Sequence, residues 1–179
     1  SSTSRGLGDV YKRQAHKHDS QDICFISDGD YMSFIEKTTG KKSEPGDFVN
    51  QEGEVVGRHK GYYGYTIGQR KGLGISAPKP YYVTEIRPEE NKVIVGSNED
   101  LFKTDLIAND FNWIENLAED EVVKARIRYH QTEKEATARK NSDGTVDIHF
   151  LEPQRAITKG QAVVLYRDNH VVGGGTIIK

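Results

Sequence analysis

Val122-Val123-Lys124-Ala125-Arg126-Ile127-Arg128-Tyr129-His130 is the stretch on which the fold turns. Val123, Ala125, Ile127 and Tyr129 alternate with Lys124, Arg126, Arg128 and His130, and a pleated strand sends those two sets to opposite faces. One face feeds a core. The other carries cations spaced about 7 Å apart, close to the phosphate repeat of a nucleic-acid strand. Glu133 and Glu135 follow closely, so the same ladder also fits an ordinary charged outer face. Outward from this run (122–129), strand-like runs recur at 81–86, 93–96, 145–150 and 161–166. Turn signals separate them: Pro45-Gly46, Glu52-Gly53, Pro88-Glu89-Glu90-Asn91, Asn141-Ser142-Asp143-Gly144 and Arg167-Asp168-Asn169. Short strands at such regular spacing predict a mainly β protein built of small barrels or sandwiches.

One helix is expected near the N-terminus. Asp28-Gly29-Asp30 can cap it, Tyr31, Phe34 and Ile35 share a face, and Gly40 can stop it. Residues 1–14, SSTSRGLGDVYKRQ, have no periodicity and resemble tag-like or read-through sequence; the other reading is a disordered arm. The expected organisation is a leader over 1–14 and a cysteine-bearing segment with the short helix over 15–40. A central β domain over 41–104 and a β-barrel over 105–179 complete it. A domain preceding this chain is expected to be missing from it. Charge supports a division near 101–110. Residues 85–121 hold eleven acids against Arg87, Lys92 and Lys103, whereas 122–140 hold six bases against Glu133 and Glu135.

Composition narrows the function classes. The 179 residues carry a net charge of -2, 29% charged residues and 35% hydrophobic ones. That excludes a uniformly basic nucleic-acid coat but leaves room for local patches. No apolar run approaches the roughly 18 residues of a membrane helix, so no membrane partner is expected. One cysteine excludes an internal disulfide and a multi-cysteine zinc site. The six histidines are scattered, so no metal site is expected. The N-terminus lacks a secretory layout, and a cytoplasmic location is expected.

Two places could carry function. Residues 58–74, RHKGYYGYTIGQRKGLG, interleave Arg58, Lys60, Arg70 and Lys71 with three tyrosines and five glycines. Cations neutralise phosphate, aromatics stack on bases and glycine permits close approach; a Gly-rich hairpin with a solvated edge is the plainer alternative. No Gly-Lys-Ser/Thr follows, so this is not a Walker loop. Cys24, between Ile23 and Phe25, is either a small buried hydrophobe or a reactive thiol. Sequence physics leaves that choice open.

Several strings go further: Asp19-Ser20-Gln21-Asp22-Ile23-Cys24-Phe25-Ile26, Gly57-Arg58-His59-Lys60-Gly61, and Tyr65-Thr66-Ile67-Gly68-Gln69-Arg70-Lys71-Gly72-Leu73-Gly74-Ile75. With Ala125-Arg126-Ile127-Arg128-Tyr129, Gly160-Gln161-Ala162 and Gly173-Gly174-Gly175, they resemble, in order, the tRNA-specific 2-thiouridylases (the MnmA or TrmU family) over about residues 15–179. The resemblance implies a small central domain followed by a C-terminal barrel like the second domain of translation elongation factors. It implies that Cys24 carries the persulfide and that Arg128, Tyr129 and Gln161 contact tRNA. The charge pattern adds Arg58, Lys60, Arg70, Lys71, Lys124 and Arg126 as further candidate tRNA contacts.

The implied chemistry is ATP-dependent. Uridine C2 oxygen at the wobble position is adenylated, and the persulfide sulfur replaces it. ATP, with Mg, is implied to be used through a Ser-Gly-Gly-x-Asp-Ser loop that this sequence lacks, so no cofactor is expected on this chain. The implied partners are tRNA and a sulfur-donor protein, and the chain alone is expected to be inactive. A standalone, non-catalytic β-barrel RNA-binding module is the competing reading. Reading the gene upstream of codon 15 for an encoded SGGxDS separates the two.

Overall fold

The computed structural model describes residues 31–40, 42, 44–118 and 121–179. The leader and Cys24 with its neighbours lie outside the described residues. Helix α1 (Tyr31–Thr39) forms where the sequence places it. Its last turn closes as Gly40, at φ 68°, donates its N–H to the Glu36 carbonyl at 2.9 Å. Glycine takes that left-handed conformation without steric cost, which is why the helix stops there.

From residue 44 onward the described chain is β structure joined by turns. β1 (Gly46–Val49), β2 (Val55–His59), β3 (Tyr82–Arg87) and β4 (Lys92–Gly96) form a sheet in the order β2-β1-β4-β3. β1 and β4 run parallel, and the other pairs are antiparallel. The β1–β2 turn is held by the Asn50 side chain, whose Oδ1 accepts the N–H groups of Glu52 and Glu54. That self-bonding is what makes Asn a turn former. Phe48, Val83, Val93 and Val95 make the core of this lobe, and Leu73 joins them from a loop.

β5 (Phe102–Trp113), β6 (Val122–Arg126), β7 (Lys134–Lys140), β8 (Val146–Arg155), β9 (Ala162–Arg167) and β10 (His170–Ile177) close a six-stranded barrel in the order β10-β5-β8-β7-β6-β9. Every neighbouring pair is antiparallel. Alternation supplies the interior: Val123, Ala125, Ala136, Ala138, Ile148, Phe150, Val163 and Leu165 are all buried. Three of these are alanines, which a tight barrel can accommodate opposite the large Phe150 ring. Closure along β10 depends on Gly173, Gly174 and Gly175. A Cβ on Gly175 would stand 2.6 Å from the Asn109 carbonyl oxygen and 2.6 Å from the Phe111 ring.

The four-stranded lobe and the barrel meet at the end of β8. Ala156 donates its N–H to the Leu101 carbonyl at 2.8 Å. Arg155 donates from Nε to Asn98 Oδ1 at 3.2 Å and lies over the Tyr82 ring. β5 belongs to the barrel over its full length, so the barrel begins at Phe102.

Three local expectations need correction. The run 122–129 is a strand only to Arg126; Ile127 still faces inward, but Tyr129 is 77% exposed rather than core. Alternation alone cannot see the chain turn away after Ile127. The run 145–150 continues to Arg155, through Pro153. Proline is tolerated because the β5–β8 register slips between Lys103 and Asp105, where no ladder bond is required of it. The glycine-rich 58–74 segment forms no hairpin beyond the end of β2. It is a loop pinned to β3: Gly68 donates to the Val83 carbonyl at 2.7 Å, and Val83 donates to the Gln69 carbonyl at 2.9 Å.

His59 is a structural centre that its sequence context does not reveal. It is 1% exposed, its Nδ1 accepts the Gly61 N–H, and its ring sits edge-on to Phe48 and Tyr65. With Nδ1 accepting, the proton is on Nε2, which donates to the Asn91 carbonyl at 3.1 Å. Burial therefore lowers its pKa below the ordinary 6.5; the Asn91 carbonyl and Asp47 oppose that shift less strongly, and Arg58 adds to it. The unfolded chain then takes up this proton first, so stability is full above about pH 6.5 and declines as pH falls below it. Carboxylates held low by ion pairs, such as Glu85 and Glu121, add their losses only below about pH 4.5. Thermal melts between pH 7.5 and 5.5 are expected to fall, and His59→Asn is expected to flatten that slope. An undiminished slope in His59→Asn would place the sensitivity elsewhere.

Candidate nucleic-acid interface

After Arg126 the chain leaves β6, and residues 127–132 turn before β7. Arg128 reaches across this turn and donates from Nη2 to the Ala156 carbonyl at 2.7 Å. Ala156 is held at φ 57°, a conformation an L side chain rarely adopts, and Thr158 Oγ1 donates to the same carbonyl at 2.9 Å. Arg128 is thus anchored at one nitrogen while its residue stays exposed. Facing it, Gln161 opens the approach to β9, and its carbonyl accepts the Ile177 N–H at 2.8 Å.

Between these edges lies an open groove of about 500 Å³. Arg126, Arg128, Tyr129 and Gln161 line it, with Val164 and Tyr166 among its β9 residues. Four residues nominated from sequence therefore share one surface. Arg126 lies over the Tyr166 ring at 5.4 Å from its centroid and is ion-paired with Glu133. The Glu133 partner envisaged as the plainer reading of the cation ladder is thus present. Tyr129 presents its ring outward, edge-on to His130 at 4.9 Å. An exposed aromatic face, two guanidinium groups and an amide are what stacking on a base and contacting a phosphate require.

The remaining nominated cations are elsewhere. Lys124 is exposed on β6, with Glu135 on β7 and Tyr166 on β9 as its register partners. Arg58 stands on β2 beside Asp47, at 3.7 Å. Lys60 is exposed at the end of β2, and Arg70 and Lys71 are exposed in the pinned loop, flanked by Gln69 and buried Leu73. None of these lines the groove. Three lining residues on β9 escaped the sequence reading, Ala162, Val164 and Tyr166. Parity could have found them: Val163 and Leu165 face inward, so Ala162, Val164 and Tyr166 must face out. Among the described residues, no group of three or more His, Cys, Asp or Glu side chains could hold a metal ion. No helix among them is long and apolar enough to cross a membrane.

Residues 32–97 match the family described as tRNA methyl transferase PRC-barrel domain, and residues 103–177 match the aminomethyltransferase beta-barrel domain. The two matches meet where the four-stranded lobe gives way to the barrel. Among curated proteins, the chain is 52% identical over 167 residues to the tRNA-specific 2-thiouridylase MnmA of Lachnoclostridium phytofermentans, covering 92% of this chain and 47% of that protein. It is 47% identical over 167 residues to the MnmA of Carboxydothermus hydrogenoformans, with 92% and 46% covered. The MnmA of Clostridioides difficile is 49% identical over 166 residues, again covering 92% and 46%. The chain thus spans about half the length of the curated relatives it matches.

Proposed function

Because this chain belongs to the tRNA-specific 2-thiouridylase family, we propose that it is the tRNA-docking and sulfur-carrying part of such an enzyme. The observation that carries the docking role is the groove where Arg126, Arg128, Tyr129 and Gln161 converge. Arg128 supplies charge for a backbone phosphate, Tyr129 a ring for a base, and Gln161 an amide that can both donate and accept. Arg58, Lys60, Arg70, Lys71 and Lys124 extend the positive potential outside the groove and add to steering more than to register.

The chemistry runs through Cys24. A sulfur-donor protein that itself carries a persulfide passes its outer, sulfane sulfur to the Cys24 thiolate; the donor's S–S bond breaks as the new one forms, and the donor leaves as a thiol. ATP, bound by a part of the enzyme outside this chain, adenylates the C2 oxygen of the wobble uridine and releases pyrophosphate. The outer persulfide sulfur attacks C2, and the C2–O bond breaks as AMP leaves with the electron pair. A second cysteine, also outside this chain, then attacks Cys24 Sγ. That forms a disulfide and leaves the transferred sulfur on C2 as the thiocarbonyl. Adenylation converts a poor leaving group into a good one, and docking supplies the alignment.

The test of docking is salt dependence. Two to three phosphate contacts predict a roughly ten- to fortyfold loss of affinity between 50 and 200 mM salt. Filter binding of a tRNA transcript to this chain reads it directly. Binding that is absent at low salt, or indifferent to salt, overturns the docking role.

A further inference from the structure

Arg126 and Arg128 both line the groove but stand in opposite electrostatic states. Arg128 is tied to a neutral carbonyl and keeps its whole charge for the groove. Arg126 is matched by the Glu133 carboxylate, with both side chains 31% exposed. That pose is incomplete: Arg126 Nε is buried with no acceptor, although guanidinium carries five donors. A phosphodiester, though tetrahedral, presents two non-bridging oxygens that a guanidinium can engage bidentately as it does a carboxylate, and so can replace it.

Resting on the docking role above, we propose that Glu133 is a built-in competitor for the RNA phosphate. It neutralises Arg126 in the unbound chain and yields it when a phosphate enters the groove. Glu133 thereby limits affinity for any polyanion and reserves Arg126 for a ligand already aligned by Arg128 and Tyr129. Glu133 acts through Arg126 and is a positioning residue, not a contact. The plainer role, a structural tie between β6 and the start of β7, predicts a change in melting temperature and none in affinity for tRNA or heparin.

The experiment uses this chain with a tRNA transcript and, as an unstructured polyanion, heparin. Glu133→Gln is expected to bind tRNA about fivefold more tightly. The slope of log affinity against log salt should change by less than about 0.5, because Arg126 meets the same phosphate in both complexes and the gain comes from removing the competitor. Heparin binding should rise by at least as much, because the competitor no longer discriminates. In Glu133→Gln combined with Arg126→Gln, both gains should vanish. An unchanged tRNA affinity in Glu133→Gln overturns the proposal, as does a gain that survives the loss of Arg126. Should tRNA binding by the unaltered chain itself be absent, or indifferent to Arg128→Ala, the docking role fails instead.

Discussion

Cys24→Ser in the complete enzyme is expected to abolish 2-thiouridine formation while leaving ATP and tRNA binding in place. Serine keeps the size and polarity of the side chain but cannot form a persulfide, so no sulfur reaches C2. Only a thiolate takes up sulfur, which requires a cysteine accessible and not desolvated among apolar neighbours. Mass spectrometry of digested tRNA reads the product, and the wild-type enzyme should show a mass gain of one sulfur on Cys24 when charged by the donor. Residual thiolation in the serine variant would remove Cys24 from the chemistry, leaving docking as this chain's contribution.

Gly46→Ala is expected to damage the four-stranded lobe severely. Gly46 pairs with His59 across β1 and β2, and the His59 ring folds over it to reach the Asn91 carbonyl. A Cβ there would lie 2.1 Å from the Asn91 carbonyl oxygen and 2.6 Å from both His59 Cε1 and Nε2. The nearest obstacle is backbone, so no side-chain rotation relieves it. Either Asn91, itself at φ 50°, must move, or the His59 hydrogen bond must break. A cost of about 3 kcal/mol, at the upper end of overpacking, corresponds to a melting temperature lower by roughly 6–12 °C. Calorimetry checks it. A change under about 2 °C would mean that the turn after β3 yields more easily than this geometry allows.

How much of this was legible in sequence follows from what sequence encodes locally. Alternation in 122–127 named the inward residues Val123, Ala125 and Ile127 correctly because period 2 is a property of the strand itself. Turns at Asn91, Asp168 and Gly144 were visible because only a few residue types accept their left-handed conformation. What stayed hidden depends on distant partners. Tyr129 looked like core because its parity is right, yet its exposure follows from a turn drawn toward Ala156, 27 positions later. Arg128 looked like a purely outward cation for the same reason. His59 looked unremarkable because Gly46 and Asn91, which bury and bond it, are 13 and 32 positions away. The four groove residues were each nominated, but their convergence required barrel closure between β6 and β9. The chemistry of sulfur transfer came from the resemblance at Cys24, not from strand physics.

The docking claim meets its most direct test in tRNA titrations of the chain carrying both Arg128→Ala and Tyr129→Ala, beside the unaltered chain, at low salt. Losing one phosphate contact and one stacked base should weaken binding at least tenfold and make the salt slope shallower by about one. The melting temperature should fall by only roughly 2–4 °C, because Arg128 also gives up its bond to the Ala156 carbonyl, about 1 kcal/mol. Affinity and slope that both stay at the unaltered values would contradict the groove as the tRNA-docking surface.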